Sequence, residues 1–141
     1  MEVLKAMVDY GIIGLLVLLS VWAMAIALER WLYFRRVDLR DFHTRQDCEI
    51  ALTRRLVVIS TVAVNAPFIG LLGTVLGIMM TFQTMSAETV AVQTIMSGLS
   101  LALKATAIGL LVAIPCVALN NFLRRRVNEL ITRFEKVQHG T

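Results

Sequence analysis

The sequence has little charge and few residues of the kinds that bind metals or cofactors. Charged residues make up 17% of its 141 residues and apolar residues 57%, whereas soluble domains average about 25% and 45–50%. Cys48 and Cys116 lie far apart, and neither of the two histidines is placed to complete a site with them. We therefore expect two unpaired thiols, no metal site and no cofactor. No nucleophile–base pair or phosphate-binding loop is recognisable, so an enzyme is not expected.

Acidic residues are missing from the most apolar parts of the chain. There is no Asp or Glu between Glu49 and Glu88, and none between Glu88 and Glu129. The first interval contains the uncharged run 56–87, and the second contains an apolar run at 99–120 that one charge interrupts. A carboxylate that binds a proton at membrane depth would therefore have to come from another chain.

Three apolar segments predict an all-α membrane protein, with residues 1–141 as one domain. The expected spans are 11–28, 62–83 and 99–120, each close to the roughly 20 residues that a helix needs to cross a bilayer. As a single helix the run 56–87 would be about 48 Å long. It must therefore project from the bilayer or break, and Pro67, beside Asn65, marks the expected bend or entry point.

The first apolar segment could also be read as a cleaved signal peptide, because Ala23-Met24-Ala25 resembles a cleavage site. Two features favour a retained span. Glu2 and Asp9 precede it, where a signal peptide has a basic region, and the apolar run continues beyond the site to Leu28.

The distribution of basic residues predicts the orientation of the spans. The segment 29–55 contains seven arginines, and four arginines and one lysine follow residue 120, whereas 84–97 has no basic residue. By the positive-inside rule the N-terminus faces outward, and both the segment 29–55 and the tail 121–141 face the cytoplasm. The tail should continue the last helix, with one apolar face formed by Val127, Leu130, Ile131 and Phe134.

Small residues at fourfold spacing predict close helix packing in the second and third spans, as in other membrane helices. Gly73 and Gly77 form a GxxxG motif, with Gly70 one turn earlier. On the third span one face is expected to carry Ala105, Gly109 and Ala113, and another Ala102 and Thr106.

Two threonines and one lysine are the polar candidates within the spans. If the hairpin turns near Glu88, Thr74 and Thr106 lie at nearly the same depth. Each hydroxyl could either serve a proton path or simply bond the carbonyl four residues earlier in its own helix. Lys104 is either a functional intramembrane charge or a side chain that extends along Ser97 and Ser100 to the outer headgroups.

Two stretches resemble the signatures of the ExbB/TolQ/MotA proton-channel family, and of ExbB most closely. They read APFIGLLGTVLGIM at 66–79 and ATAIGLLVAIP at 105–115. Both occur in the family's order and spacing. They include the positions expected to serve packing or bending, namely Pro67, Gly70, Gly73, Gly77, Gly109 and Pro115.

The resemblance implies a subunit of an inner-membrane motor, usually a ring of five copies around a central pore. An ExbD-like single-span partner would place an aspartate opposite Thr74 and Thr106, and proton flow would drive a TonB-like protein that energises nutrient uptake. Some relatives carry a glutamate shortly before the second threonine, where this chain reads Ser-Leu-Ala-Leu-Lys at 100–104. The segment 29–55 is also short for the family. A TolQ-like role in envelope maintenance and a passive scaffold remain alternatives.

Overall fold

The computed structural model describes residues 2–87 and 92–139, and almost all of them are helical. Helix α1 spans Glu2–Arg36, α2 spans Arg45–Thr53, α3 spans Leu56–Ala87 and α4 spans Val92–His139, with one short 3-10 turn at Leu39–Asp41. The turn expected near Glu88 lies outside the described residues.

Three of these helices are long and apolar enough to cross a membrane, which confirms the predicted all-α class with three spans. Each expected span lies within one helix. Of the two alternatives for the long run 56–87, the structure has one long helix and no break, because α3 continues through Pro67. Neighbouring helices let membrane helices tolerate proline, and α3 accommodates its length by beginning at Leu56, beside the segment that contains α2.

Helix α1 packs on α3 and α4 along one stripe with a seven-residue spacing. The stripe contains Asp9, Leu16, Ala23 and Arg30, all of which are buried. The opposite face carries exposed Leu18 and other large apolar side chains, as expected for a surface that contacts lipid tails.

An apolar cluster lies where α2 packs against the ends of the three long helices. The tail residues predicted to form one face of α4 are all buried in it, with Phe134 only 1% exposed. Helix α2 contributes Cys48 and Leu52, and α3 contributes Leu56 and Ile59. The short segment 29–55 therefore forms a small folded core with the ends of the long helices.

Polar contacts close this core at the junction of α1, α2 and α3. The Arg30 guanidinium, which is buried, donates to the Ala51 carbonyl at 3.1 Å and to Glu29 at 3.1 Å, and it stacks over the Tyr33 ring. Glu29 also pairs with Arg55, whose positive φ of 68° forms the turn between α2 and α3. Buried guanidinium groups need such partners, since leaving one unpaired is costly.

We predict that Phe134→Ala exposes the Cys48 thiol. Burial, and secondarily the charge of Glu49, raises the pKa of Cys48, so both access and thiolate fraction are low in the native core. Removing a buried phenyl ring costs about 3–5 kcal/mol, enough to open a small cluster. The measurement is the maleimide labelling rate at neutral pH in a Cys116→Ser background.

The exposed neighbour Arg133 supplies the matched control, and Arg133→Ala should label as slowly as the unchanged chain. Equal labelling of the Phe134→Ala and Arg133→Ala chains would show that the tail does not cover Cys48.

Candidate functional site

The backbones of α3 and α4 come into direct contact where two glycines meet. A Cβ atom added at Gly109 would lie 2.7 Å from the Ala66 carbonyl oxygen and 3.1 Å from the Gly70 Cα. A Cβ atom added at Gly70 would lie 2.7 Å from the Ala105 carbonyl oxygen. Real side chains do not fit at such distances, so this crossing depends on glycine in both helices.

The same close contact continues along the pair toward the C-terminal end of α3. A Cβ at Gly73 would lie 2.8 Å from the Ala105 methyl group, and one at Gly77 would lie 2.7 Å from that of Ala102. All four glycines of the predicted packing motif therefore lie in one seam. The expectation that Ala102 and Ala105 lie on different faces is wrong, because both contact α3.

The two candidate threonines meet in this seam. Their hydroxyl groups are hydrogen bonded to each other. The Thr74 hydroxyl also donates to the Ala102 carbonyl of α4 at 2.9 Å, and the Thr106 hydroxyl lies 3.4 Å from the Gly70 carbonyl of α3. The Thr74 hydroxyl lies 3.3 Å from the Gly70 carbonyl of its own helix, which is farther than the Ala102 carbonyl across the seam. The alternative that each hydroxyl simply bonds the carbonyl four residues earlier therefore does not account for the pair.

The two hydroxyls play different hydrogen-bonding roles, because each has a single hydrogen to donate. Each has one hydrogen to donate and two lone pairs to accept with. If Thr74 donates to Ala102, the shorter of its two carbonyl contacts, then Thr106 donates to Thr74 and its oxygen keeps acceptor capacity. Thr74 is buried and Thr106 is half-buried. Thr74 is therefore the anchored member of the pair, and Thr106 is the member that can meet another group.

A carboxylate near this depth comes from α1, which sequence reasoning missed. Ile12 packs 3.2 Å from the Cβ position at Gly73, and Asp9 lies one turn nearer the outer end. Since α1 and α3 are antiparallel, Asp9 is displaced from the level of Thr74 by about 3 Å along the axis. Asp9 is only 3% exposed, so the expectation that an acid at this depth must come from another chain is wrong.

The sequence did contain a signal for Asp9. It stands just outside the uncharged run 11–28, yet it keeps the seven-residue spacing of Leu16 and Ala23 on the buried stripe. Defining the first span by its lack of charge left Asp9 out, whereas the helical spacing would have placed it inside the bundle.

The remaining candidates lie away from the hydroxyl pair. Lys104 is exposed and lines a shallow groove with Gln93, Ser97 and Ser100, which include the serines along which it was expected to extend. Pro115 is exposed within an unbroken α4, and Pro67 is half-buried within α3. Among the residues that the structure describes, no three His, Cys, Asp or Glu side chains lie together as a metal site would require.

Comparison with known proteins identifies the group to which these helices belong. Residues 40–136 match the model of the MotA/TolQ/ExbB proton channel family. That match includes both threonines and the whole glycine seam. The chain belongs to this family.

Relatives similar over nearly the whole chain carry ExbB names. The putative biopolymer transport protein ExbB-like 2 of Helicobacter pylori is 48% identical over 96% of this chain and 91% of its own length. The biopolymer transport protein ExbB of Aquifex aeolicus is 48% identical over 99% and 95%. The Tol-Pal system protein TolQ of Haemophilus influenzae is 46% identical, but over only 57% of this chain and 36% of its own length.

We predict that Gly109→Ala lowers the thermal stability of this family member. The added methyl group must push the α3 and α4 backbones apart, and overpacking of this kind costs about 1–3 kcal/mol. The measurement is the melting temperature in detergent. Gly14→Ala is the matched control, because nothing lies within 4 Å of its Cβ position. A melting temperature for Gly109→Ala equal to that of Gly14→Ala would contradict the seam.

We predict unequal effects of removing the two hydroxyls on stability. Thr74→Val deletes the bond to Ala102 and the acceptor for Thr106, so the loss should be about 1 kcal/mol. Thr106→Val leaves the Thr74–Ala102 bond in place and should cost less. Unfolding in a denaturing detergent measures the difference, with Thr74→Ser expected to retain stability. A larger loss for Thr106→Val would contradict the assignment of Thr74 as the anchor.

Proposed function

We propose that this protein is the ExbB-type subunit of a proton-driven motor in the bacterial inner membrane. An ExbD-like single-span partner supplies an acidic residue, and a TonB-like protein carries the resulting motion to outer-membrane transporters of nutrients. The observation that carries this proposal is the Thr74–Thr106 hydroxyl pair, which is set in the apolar stretches 62–83 of α3 and 99–120 of α4, neither of which contains a carboxylate.

The hydroxyl pair can accept a hydrogen bond from a protonated partner acid and can donate one to the same acid when it is ionised. When the acid is protonated, its O–H donates to the Thr106 oxygen, while Thr106 continues to donate to Thr74. When the acid is ionised, the Thr106 hydroxyl turns and donates to the carboxylate. Thr74 donates to the Ala102 carbonyl in both states, and only the bond that it accepts from Thr106 changes.

Asp9 does not replace the partner's acid in this scheme. It is enclosed between helices of its own chain, whereas the titrating group must reach Thr106 and move as it gains or loses its proton. Five copies in a ring, with the spans oriented N-terminus out and C-terminus in, would surround such a partner helix. The large exposed apolar side chains on all three long helices provide surface for contacts between copies and with lipid.

A TolQ-like subunit that energises envelope maintenance is the second candidate, favoured by the similarity to TolQ of Haemophilus influenzae. The ExbB reading is preferred because relatives with that name align over almost the whole chain. A passive scaffold would use the glycine seam for assembly alone. It would be indifferent to the threonine hydroxyls and to the proton-motive force.

We predict that Thr106→Val abolishes energised uptake while the protein remains in the membrane. Valine keeps the shape of the side chain but cannot exchange hydrogen bonds with a partner carboxylate. Thr106→Ser should restore part of the activity. The measurement is substrate uptake that depends on the proton-motive force, in cells with a matched amount of membrane-inserted protein.

Thr132→Val is the matched control, since that exposed hydroxyl donates to the Asn128 carbonyl of its own helix. Normal uptake with Thr106→Val would remove the proposed role. Lost envelope integrity with intact nutrient uptake would assign the protein to the TolQ branch instead.

A further inference from the structure

A groove between α1 and α4 lies at the arginine-rich end of the bundle. Its polar part has a volume of about 430 Å³, and its apolar part about 270 Å³. The two parts adjoin each other, because Trp31 and Phe122 line both. The groove therefore changes from polar to apolar along the helix axis.

The polar part is basic. It presents the guanidinium groups of Arg35, Arg125 and Arg126 against the single carboxylate of Glu129. Glu129 contacts Arg125 at 3.6 Å and Arg126 at 3.1 Å. Such exposed ion pairs contribute little by themselves, so the two arginines remain able to bind a stronger anion. Guanidinium groups bind phosphate oxygens in a paired geometry that suits this task.

Aromatic rings lie where the two parts join. The Arg35 guanidinium stacks over the Trp31 ring, 4.9 Å from its centre, and Phe122 faces the same opening. Both rings are exposed, at 40% and 57%. Tryptophan prefers the headgroup level of a bilayer, which places this junction at the membrane–water boundary.

The apolar part continues from this boundary into the membrane region. Its floor is formed by Ala27 and Leu123, which are buried. Its sides are formed by Met24, Leu28 and Leu119. The small side chain of Ala27 leaves the trough open between two large helices.

We propose that this groove binds one anionic phospholipid of the cytoplasmic leaflet. The phosphate would contact Arg125, Arg126 and Arg35, and one acyl chain would lie in the trough over Ala27. Basic pockets between membrane helices on the cytoplasmic side suit acidic headgroups. The argument rests on the match of charge and polarity along the groove, and it does not depend on proton transport.

A second copy of this chain is the competing occupant. A neighbouring helix seated here would have to place acidic residues against the three arginines and apolar residues in the trough. The acidic residues of the two groove helices at this level already contact arginines of their own chain: Glu129 pairs with Arg125 and Arg126, and Glu29 pairs with Arg30 and Arg55. The lipid therefore fits the groove better than a copy does.

Brominated lipids test the site through Trp31 fluorescence. The Trp22→Phe chain, in which Trp31 is the remaining tryptophan, is reconstituted in phosphatidylcholine bilayers with a fixed minor fraction of phosphatidylglycerol. Bromine is placed on the acyl chains of one lipid or the other. We expect phosphatidylglycerol to bind near Trp31 about fivefold or more tightly than phosphatidylcholine, since each nearby basic group contributes about that factor. Trp22, studied in the Trp31→Phe chain, should show no preference.

Substitutions at two adjacent arginines distinguish a specific lipid site from the general attraction of anionic lipids to a basic surface. Arg125→Gln should lower the preference about fivefold. Arg124→Gln should leave it unchanged, because Arg124 lies at the same depth but bonds Asn120 outside the groove. Equal losses in both variants, or no preference in the starting chain, would overturn the proposal. So would the absence of quenching at Trp31 by either lipid, which would mean that another copy covers the groove.

Discussion

The close approach of α3 and α4 is the contact on which the rest of this structure depends. In lipid the helices gain no hydrophobic free energy by associating, so packing at short range and hydrogen bonds must hold them. Gly70 and Gly109 allow the two backbones to touch. Only at that separation does the short Thr74 side chain span the gap to the Ala102 carbonyl. The hydroxyl pair is therefore a consequence of the glycine seam, and α1 then packs on the surface that the joined helices present.

Charge is distributed so that the two ends of the bundle differ. Near the seam the ionisable groups are few: buried Asp9 on α1 and exposed Lys104 on α4. At the opposite end, arginines line the α1–α4 groove and close the small core around α2 through Arg30. That core gives the short segment 29–55 a definite structure despite its length. The same arginine-rich end thus serves local folding and, as proposed, lipid binding.

The geometry of the hydroxyl pair adds detail to the proposed role, in which this chain supplies polar groups to a partner's acid. The two threonines are not equivalent, because one is committed to a carbonyl across the seam and the other is half-buried with acceptor capacity. A fixed hydroxyl beside an adaptable one suits a site where an acid alternates between protonated and ionised forms. Asp9 adds a carboxylate to the chain itself, although one that its own helices enclose.

The sequence by itself determined the three helices, the packing role of the glycines and the family, because long apolar runs and small-residue spacing leave few alternatives in a bilayer. The shared depth of Thr74 and Thr106 followed from counting residues on either side of Glu88. Tertiary structure decided the rest. Which hydroxyl bonds which carbonyl, the passage of α3 through Pro67, and the level of Asp9 relative to the seam all depend on how neighbouring helices rotate and approach. Helical rotation is set by side chains that fit between elements far apart in the chain, and no local pattern encodes that fit.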